Sequence, residues 1–167
     1  MASPIAARTA PAPTLTPGAV LHIVSRATPE DVDALAEFYE RSFATLRFLP
    51  VLHTIDEHRA WFTRVLLDKE VWAWDEGGVR GFLALSDRQL MYLYLDVGWT
   101  GRGIGSRLLD HANERMPGGF SLWTFQANER ARRFYERHGL RAAEFGDGCG
   151  NEEGVADVRY EWQPEFV

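Results

Sequence analysis

Glycines at alternate positions, Gly101, Gly103 and Gly105, stand in the run Trp99-Thr100-Gly101-Arg102-Gly103-Ile104-Gly105-Ser106. A residue without a Cβ adopts φ > 0 freely, and such a turn brings backbone close to a ligand. A strand-like run from Met91 precedes the turn and a helical pattern follows it. The N–H groups of Arg102, Gly103, Ile104, Gly105 and Ser106 are then left over at a helix N-terminus. There the helix dipole and the Arg102 guanidinium favour an anion, so the arrangement suits a phosphate. The run lacks the Gly-Lys-Ser/Thr ending of a Walker loop. It also fails the dinucleotide fingerprint, because the sixth position from Gly101 or Gly103 is Ser106 or Leu108. The plain alternative is an ordinary helix-capping turn.

A second element follows about twenty residues on: Leu122-Trp123-Thr124-Phe125-Gln126-Ala127-Asn128, then Ala131, Phe134, Tyr135 and Gly139 at helical spacing. Strand, Asn, helix with Phe-Tyr, then Gly, after a glycine turn of this kind, resembles the GCN5-related N-acetyltransferase (GNAT) family over residues 20–163. In that family Gln/Arg-x-x-Gly-x-Gly/Ala makes the pyrophosphate loop. Asn-x-x-Ala-x-x-Phe-Tyr-x-x-x-Gly-Phe makes the second half of the acetyl-CoA site. Thr100 stands here for the usual Gln or Arg, Val97 for a frequent Pro, and Leu140 for Phe.

The resemblance implies an α/β chain with a mixed, mostly antiparallel sheet of about seven strands and four helices. It implies an acetyl-CoA-dependent N-acetyltransferase acting on a primary amine of a small molecule or peptide. It places the cofactor on Leu95, Asp96, Val97, Arg102, Gly103, Ile104, Gly105, Ser106, Asn128, Ala131, Phe134 and Tyr135. Pantetheine pairs in the family with the strand end, here Leu95 and Val97, and the Leu95 N–H becomes the oxyanion donor. Tyr135 matches the family tyrosine near the CoA sulfur. A phenol is protonated at neutral pH and can hand a proton to a departing thiolate. Its spacing with Ala131 and Phe134 also fits a core aromatic. Asn128 caps its helix and, in the family, also hydrogen-bonds near the pantetheine. A homodimer is common in the family. A non-catalytic acyl-CoA sensor and an acyltransferase for longer acyl groups are the rival readings.

The acceptor side is less defined. Some family members carry a Glu base where this chain has Tyr94, and a phenol is a poor base at pH 7. His53 and Glu57, with His58, stand at the start of the second helix, a segment that borders the acceptor in the family. His53 could act as base near its normal pKa. Asp96 alternates with Leu95 and reads as solvated. Asp147, Glu152, Glu153 and Asp157 surround a glycine-rich turn that overhangs the acceptor cleft in this fold. Carboxylates there would attract a protonated amine. Phe48, Tyr92, Tyr94 and Trp123 could line the pocket.

The remaining composition bounds the alternatives. At 167 residues the chain is long enough for one well-filled core. A net charge of −6 argues against nucleic acid. The single cysteine, Cys149, gives no intramolecular disulfide framework and suits a reducing cytoplasm. No zinc spacing or His-x-x-x-His pattern points to a metal, and no run is long and apolar enough for a membrane span. Residues 1–19 mix Ala, Pro, Thr and Ser and read as a disordered tail before one domain at 20–167.

Local signals lay out the elements. Leu21 to Arg26 reads as a strand. Thr28-Pro29-Glu30-Asp31 and Thr54-Ile55-Asp56-Glu57 are helix starts. Val71–Asp75 and Val79–Ser86 flank a Gly77-Gly78 hairpin, and Leu90–Val97 follows as a third strand. The post-glycine helix buries Ile104, Leu108, Leu109, Ala112 and Met116. Phe120–Phe125 is a strand, Asn128–His138 a helix closed by Gly139. Arg141–Phe145 and Val155–Trp162 are the last strands. The predicted order is βααβββαβαββ.

Overall fold

The computed structural model describes residues 23–164. The expected tail at 1–19 and the first residues of the expected first strand lie outside them. The chain runs β1 (Ile23–Arg26), α1 (Val32–Phe43), α2 (Ile55–Asp68), β2 (Glu70–Asp75), β3 (Val79–Ser86), β4 (Gln89–Leu95), α3 (Ile104–Arg115), β5 (Phe120–Phe125), α4 (Glu129–Arg137), β6 (Arg141–Phe145) and β7 (Asp157–Trp162). This is the predicted order, with β4 ending two residues before Val97.

Caps explain where the helices begin. At α2 the Glu57 N–H donates to Thr54 Oγ1 at 3.3 Å, while the Thr54 N–H donates to Glu57 Oε2 at 2.7 Å. Two orphan donors are satisfied reciprocally. Thr28 and Asp31 make the same box ahead of α1, where a single 3-10 turn at Pro29–Asp31 leads into the α-helix. Asn128 Oδ1 accepts the Ala131 N–H at 3.2 Å and starts α4.

The strands form one sheet in the order β1-β2-β3-β4-β5-β7-β6. Neighbours are antiparallel except β4 and β5, which are parallel and pair only at Gln89 and Ser121. Beyond that pair the two strands diverge and the sheet opens as a V. Because side chains alternate along a strand, β3 feeds two cores. Leu83 and Leu85 join Ile104, Leu108 and Leu109 on the α3 side, while Phe82 and Ala84 join Leu35, Phe38 and Phe62 on the α1/α2 side.

Gly81 sets how close α3 comes to the sheet beside the V. A Cβ there would stand 2.9 Å from Leu95 Cδ2 and 3.1 Å from Leu108 Cδ1, with the Tyr94 carbonyl at 3.2 Å. Gly81→Ala is therefore expected to cost about 1–3 kcal/mol of stability through overpacking. The measurement is the urea midpoint, and an unchanged midpoint would show that α3 can shift freely.

Candidate active site

The divergence of β4 and β5 opens a cleft of about 540 Å³. Its walls come from β4, β5, the glycine turn, the first turn of α3, α4 and the end of α1. This is the size range of small-molecule sites.

The glycine turn forms as its residues require. Gly101 has φ 79 and Gly103, the N-cap of α3, has φ 82. The Arg107 N–H donates to Gly103 O at 3.1 Å, the earliest bond of the helix. Among the described residues none accepts from the N–H groups of Gly103, Ile104, Gly105 or Ser106. A Cβ at Gly103 would meet nothing within 4 Å, so the space before these donors is open. Four unpaired donors at a helix N-terminus form a strong anion site. Arg130, Arg137 and His138 also line the cleft, and no carboxylate does.

Leu95, Gly103, Gly105, Ser106, Asn128, Ala131, Phe134 and Tyr135 line the cleft together. Four other candidates, Asp96, Val97, Arg102 and Ile104, are not among the lining residues. Ile104 is buried in the core. The Arg102 guanidinium lies 4.5 Å from the Trp99 ring centroid. Val97 is exposed beyond the end of β4.

Asp96 corrects the expectation of a solvated side chain. It is buried, with Arg80 Nη1 at 3.2 Å and Arg41 Nε at 3.6 Å, and it accepts the Val97 N–H at 2.9 Å. β4 ends at Leu95, so strand alternation no longer places the next side chain. Two cations drawn from β3 and α1 hold it instead, and the pair anchors the turn that leads into the glycines.

Leu95 is placed to present its N–H to the opening. The Asp96 N–H donates to Arg80 O at 2.8 Å, toward β3. Strand alternation turns the Leu95 N–H and C=O to the opposite side, into the V. The Leu95 carbonyl there accepts the Ser42 hydroxyl of α1 at 3.0 Å. Ser42 carried no signal in the sequence, because its role depends on a contact 53 residues away.

Tyr135 is buried on α4 and lines the cleft. Desolvation pushes its phenol well above the ordinary tyrosine range. His138, which closes α4, has Nδ1 2.8 Å from Phe134 O and Nε2 2.9 Å from Ser106 Oγ. A carbonyl only accepts, so Nδ1 donates to Phe134 O, and Nε2 is paired with the Ser106 hydroxyl. His138, Arg130 and Arg137 were missed as site residues. The Phe-Tyr-x-x-x-Gly stretch contains two of them, but spacing alone does not say which side chains turn inward.

The acceptor-side candidates gather at the other face of the V. His53 Nε2 lies 3.0 Å from Glu152 Oε1 across 99 residues, joining the α1–α2 loop to the β6–β7 loop. Glu57 is engaged by its cap, and the Thr54 N–H and hydroxyl hold its carboxyl below the usual range. Tyr94 is half-buried beside Tyr39, with ring centroids 5.0 Å apart. Desolvation and neighbouring tyrosines raise its phenol well above the ordinary value, so it is a neutral hydroxyl. Burial likewise lowers His58, whose Nδ1 has no partner. Asp147 is folded back on its own turn, accepting the Cys149 N–H at 2.9 Å, and Cys149 is an exposed thiol. Among the described residues no group of acids, His and Cys could hold a metal, and no helix is long and apolar enough to cross a membrane.

Comparison with known proteins agrees with this geometry. Residues 68–141 match the model of the acetyltransferase (GNAT) domain. A search of curated proteins gives no match. Among solved structures, the PaiA N-acetyltransferase of Thermoplasma acidophilum, solved with coenzyme A, superposes with a TM-score of 0.71 at 17% identity, covering 86% of this chain and 99% of that one. An acetyltransferase of Thermus thermophilus gives 0.72 at 18% identity, covering 87% and 99%. YncA of Salmonella typhimurium, solved with acetyl-CoA, gives 0.64 at 21% identity, covering 88% and 96%. The matched segment holds β4, the glycine turn and α4, the elements that build the cleft. Residues 68–141 are thus similar to the GNAT acetyltransferase domain, and the described residues share the fold of these acetyltransferase structures.

Proposed function

We propose that this protein transfers an acetyl group from acetyl-CoA to a primary amine. The observation that carries this reading is the row of unpaired N–H groups from Gly103 to Ser106. It opens on a cleft with two arginines and no carboxylate, at the point where β4 and β5 part. That donor set fits the pyrophosphate of CoA, and the open space before Gly103 admits it. Acetyl-CoA, when bound, supplies an acyl group on a thioester, activated for attack by nitrogen.

Each residue then has a defined task. Gly103, Ile104, Gly105 and Ser106 hold phosphate through backbone N–H groups, and Arg130 and Arg137 add positive charge. Asn128, Ala131 and Phe134 support the pantetheine side. The Leu95 N–H donates toward an oxygen that gains negative charge, the usual device of acyl transfer. Tyr135 keeps a proton at Oη throughout the neutral range, available to a sulfur leaving group. His53, oriented by Glu152, takes the proton from the incoming ammonium. Glu153 adds to the negative field that draws the cation in. This assignment separates the acid and the base onto opposite faces of the V, so that neither neutralises the other.

Two measurements test the proposal. Coenzyme A at about 100 times its dissociation constant should raise the unfolding free energy by about 2.7 kcal/mol, read as an upward melting shift. Acetyl-CoA with a panel of primary amines should release free thiol in an amine-dependent manner. An absent melting shift at millimolar CoA would remove the cofactor assignment. A shift without amine-dependent thiol release would make the protein a binder of acyl-CoA rather than an enzyme.

A further inference from the structure

The sheet's alternation divides the cleft into two chemically different halves. On β4, Leu93 and Leu95 pack with the α3 core, while Tyr92 and Tyr94 pack with the α1/α2 core. On β5, Leu122 belongs to the α3 core, so Trp123 and its next-but-one neighbour Phe125 face the α1/α2 side. There the Phe125 ring meets Phe48 of the α1–α2 loop edge-on, centroids 5.9 Å apart. The half of the cleft away from the glycine turn is thus walled by Tyr92, Tyr94, Trp123 and Phe125, with Phe48 beside Phe125 at its edge.

Among the described residues, none fills the space between these walls. Trp123 is 40% exposed, Phe48 37% and Leu52, in the same loop as Phe48, 45%. Large apolar side chains left open at the mouth of a concave site, with polar groups at the rim, mark a ligand surface. The rim here is acidic. Glu152 is held by His53 at 3.0 Å, and Glu152 and Glu153 lie near enough to Tyr92 for their charge to disfavour its ionisation. Arg159, the strand partner of Trp123 on β7, is bound by Glu144 and Glu161 and adds little free positive charge.

We infer that the acceptor is a primary amine carried on an apolar body, an arylalkyl or longer alkyl amine, with its ammonium at Glu152 and Glu153 and its body against Phe48, Trp123 and Phe125. The inference rests on the acetyl-transfer reading above. A polyamine or an amino sugar offers the same ammonium but no surface for these rings. A methylene moved from water onto apolar walls gains about 0.8 kcal/mol, which is about fourfold in kcat/KM at full burial.

The test is thiol release from acetyl-CoA with propylamine, butylamine, pentylamine, hexylamine and 2-phenylethylamine, beside ethanolamine, glucosamine and spermidine. The expected result is a rise in kcat/KM of two- to fourfold per methylene, with 2-phenylethylamine among the best and the three hydrophilic amines poorest. In Trp123→Ala and Phe48→Ala the ratio of 2-phenylethylamine to propylamine should fall about tenfold, with the fold intact by melting. A flat chain-length series, or preference for spermidine or glucosamine, overturns the inference while leaving acetyl transfer in place. So does a Trp123→Ala variant that changes only the sedimentation of the protein and not the ratio, since the rings would then cover a second copy of the chain. If no amine supports thiol release, the acetyl-transfer reading fails and this inference fails with it.

Discussion

Tyr135→Phe is expected to lower kcat by about 10²–10⁴-fold, the range typical of a lost general acid, with the affinity for CoA nearly unchanged. Only the hydroxyl is removed, so the aromatic body still packs at 6.0 Å from the Tyr160 ring and 5.3 Å from Phe134. The sign of the pH dependence follows from burial. Desolvation raises the phenol, so the acid form persists across the neutral range and well into the alkaline one. Activity should therefore rise with pH as the amine loses its proton, with no falling limb from Tyr135 below the ordinary tyrosine range. The check is kcat at saturating acetyl-CoA from about pH 6 to about pH 9.5 for both proteins, a span that approaches the ordinary tyrosine value. Equal kcat values, with pre-steady-state acetyl transfer also equal, would make Tyr135 a packing residue only.

Gly103→Asp is expected to weaken CoA binding by more than about 10²-fold. A carboxylate would enter the open space before the N–H row, where a phosphate would otherwise sit. Two like charges about 4 Å apart repel by about 4 kcal/mol at an effective dielectric constant near 20. The left-handed φ of 82 at this position adds about 1–2 kcal/mol of backbone strain. Gly103→Ala separates these effects, because it carries the strain without the charge. Isothermal titration with CoA on the three proteins decides: the Asp variant should lose far more affinity than the Ala variant. An Asp variant that binds CoA like the parent would place the phosphate elsewhere in the cleft.

Much of the scaffold was legible because its causes are local. The Thr54–Glu57 box, the Gly77-Gly78 hairpin, the N-cap at Asn128 and the period-two and period-3.6 patterns each act over a few residues. They therefore appear in the chain as spacing. The glycine turn was legible for the same reason: an αL backbone at Gly101 and Gly103 is a demand on those residues alone. The two motifs then selected a fold in which β4 and β5 part.

What spacing could not supply was which side chains meet across long separations. His53 and Glu152 touch across 99 residues, Ser42 and Leu95 across 53, and His138 and Ser106 across 32. Alternation predicts a solvated Asp96, and that rule lapses where β4 ends. Arg80 and Arg41 come from β3 and α1, and only the packed sheet brings both to one carboxylate. The sequence by itself determined the glycine turn and its row of free N–H groups, since these lie along one turn of backbone. The tertiary structure alone decided that His53 meets Glu152 and that Phe48 meets Phe125, since loops distant in the chain come together only when the sheet packs.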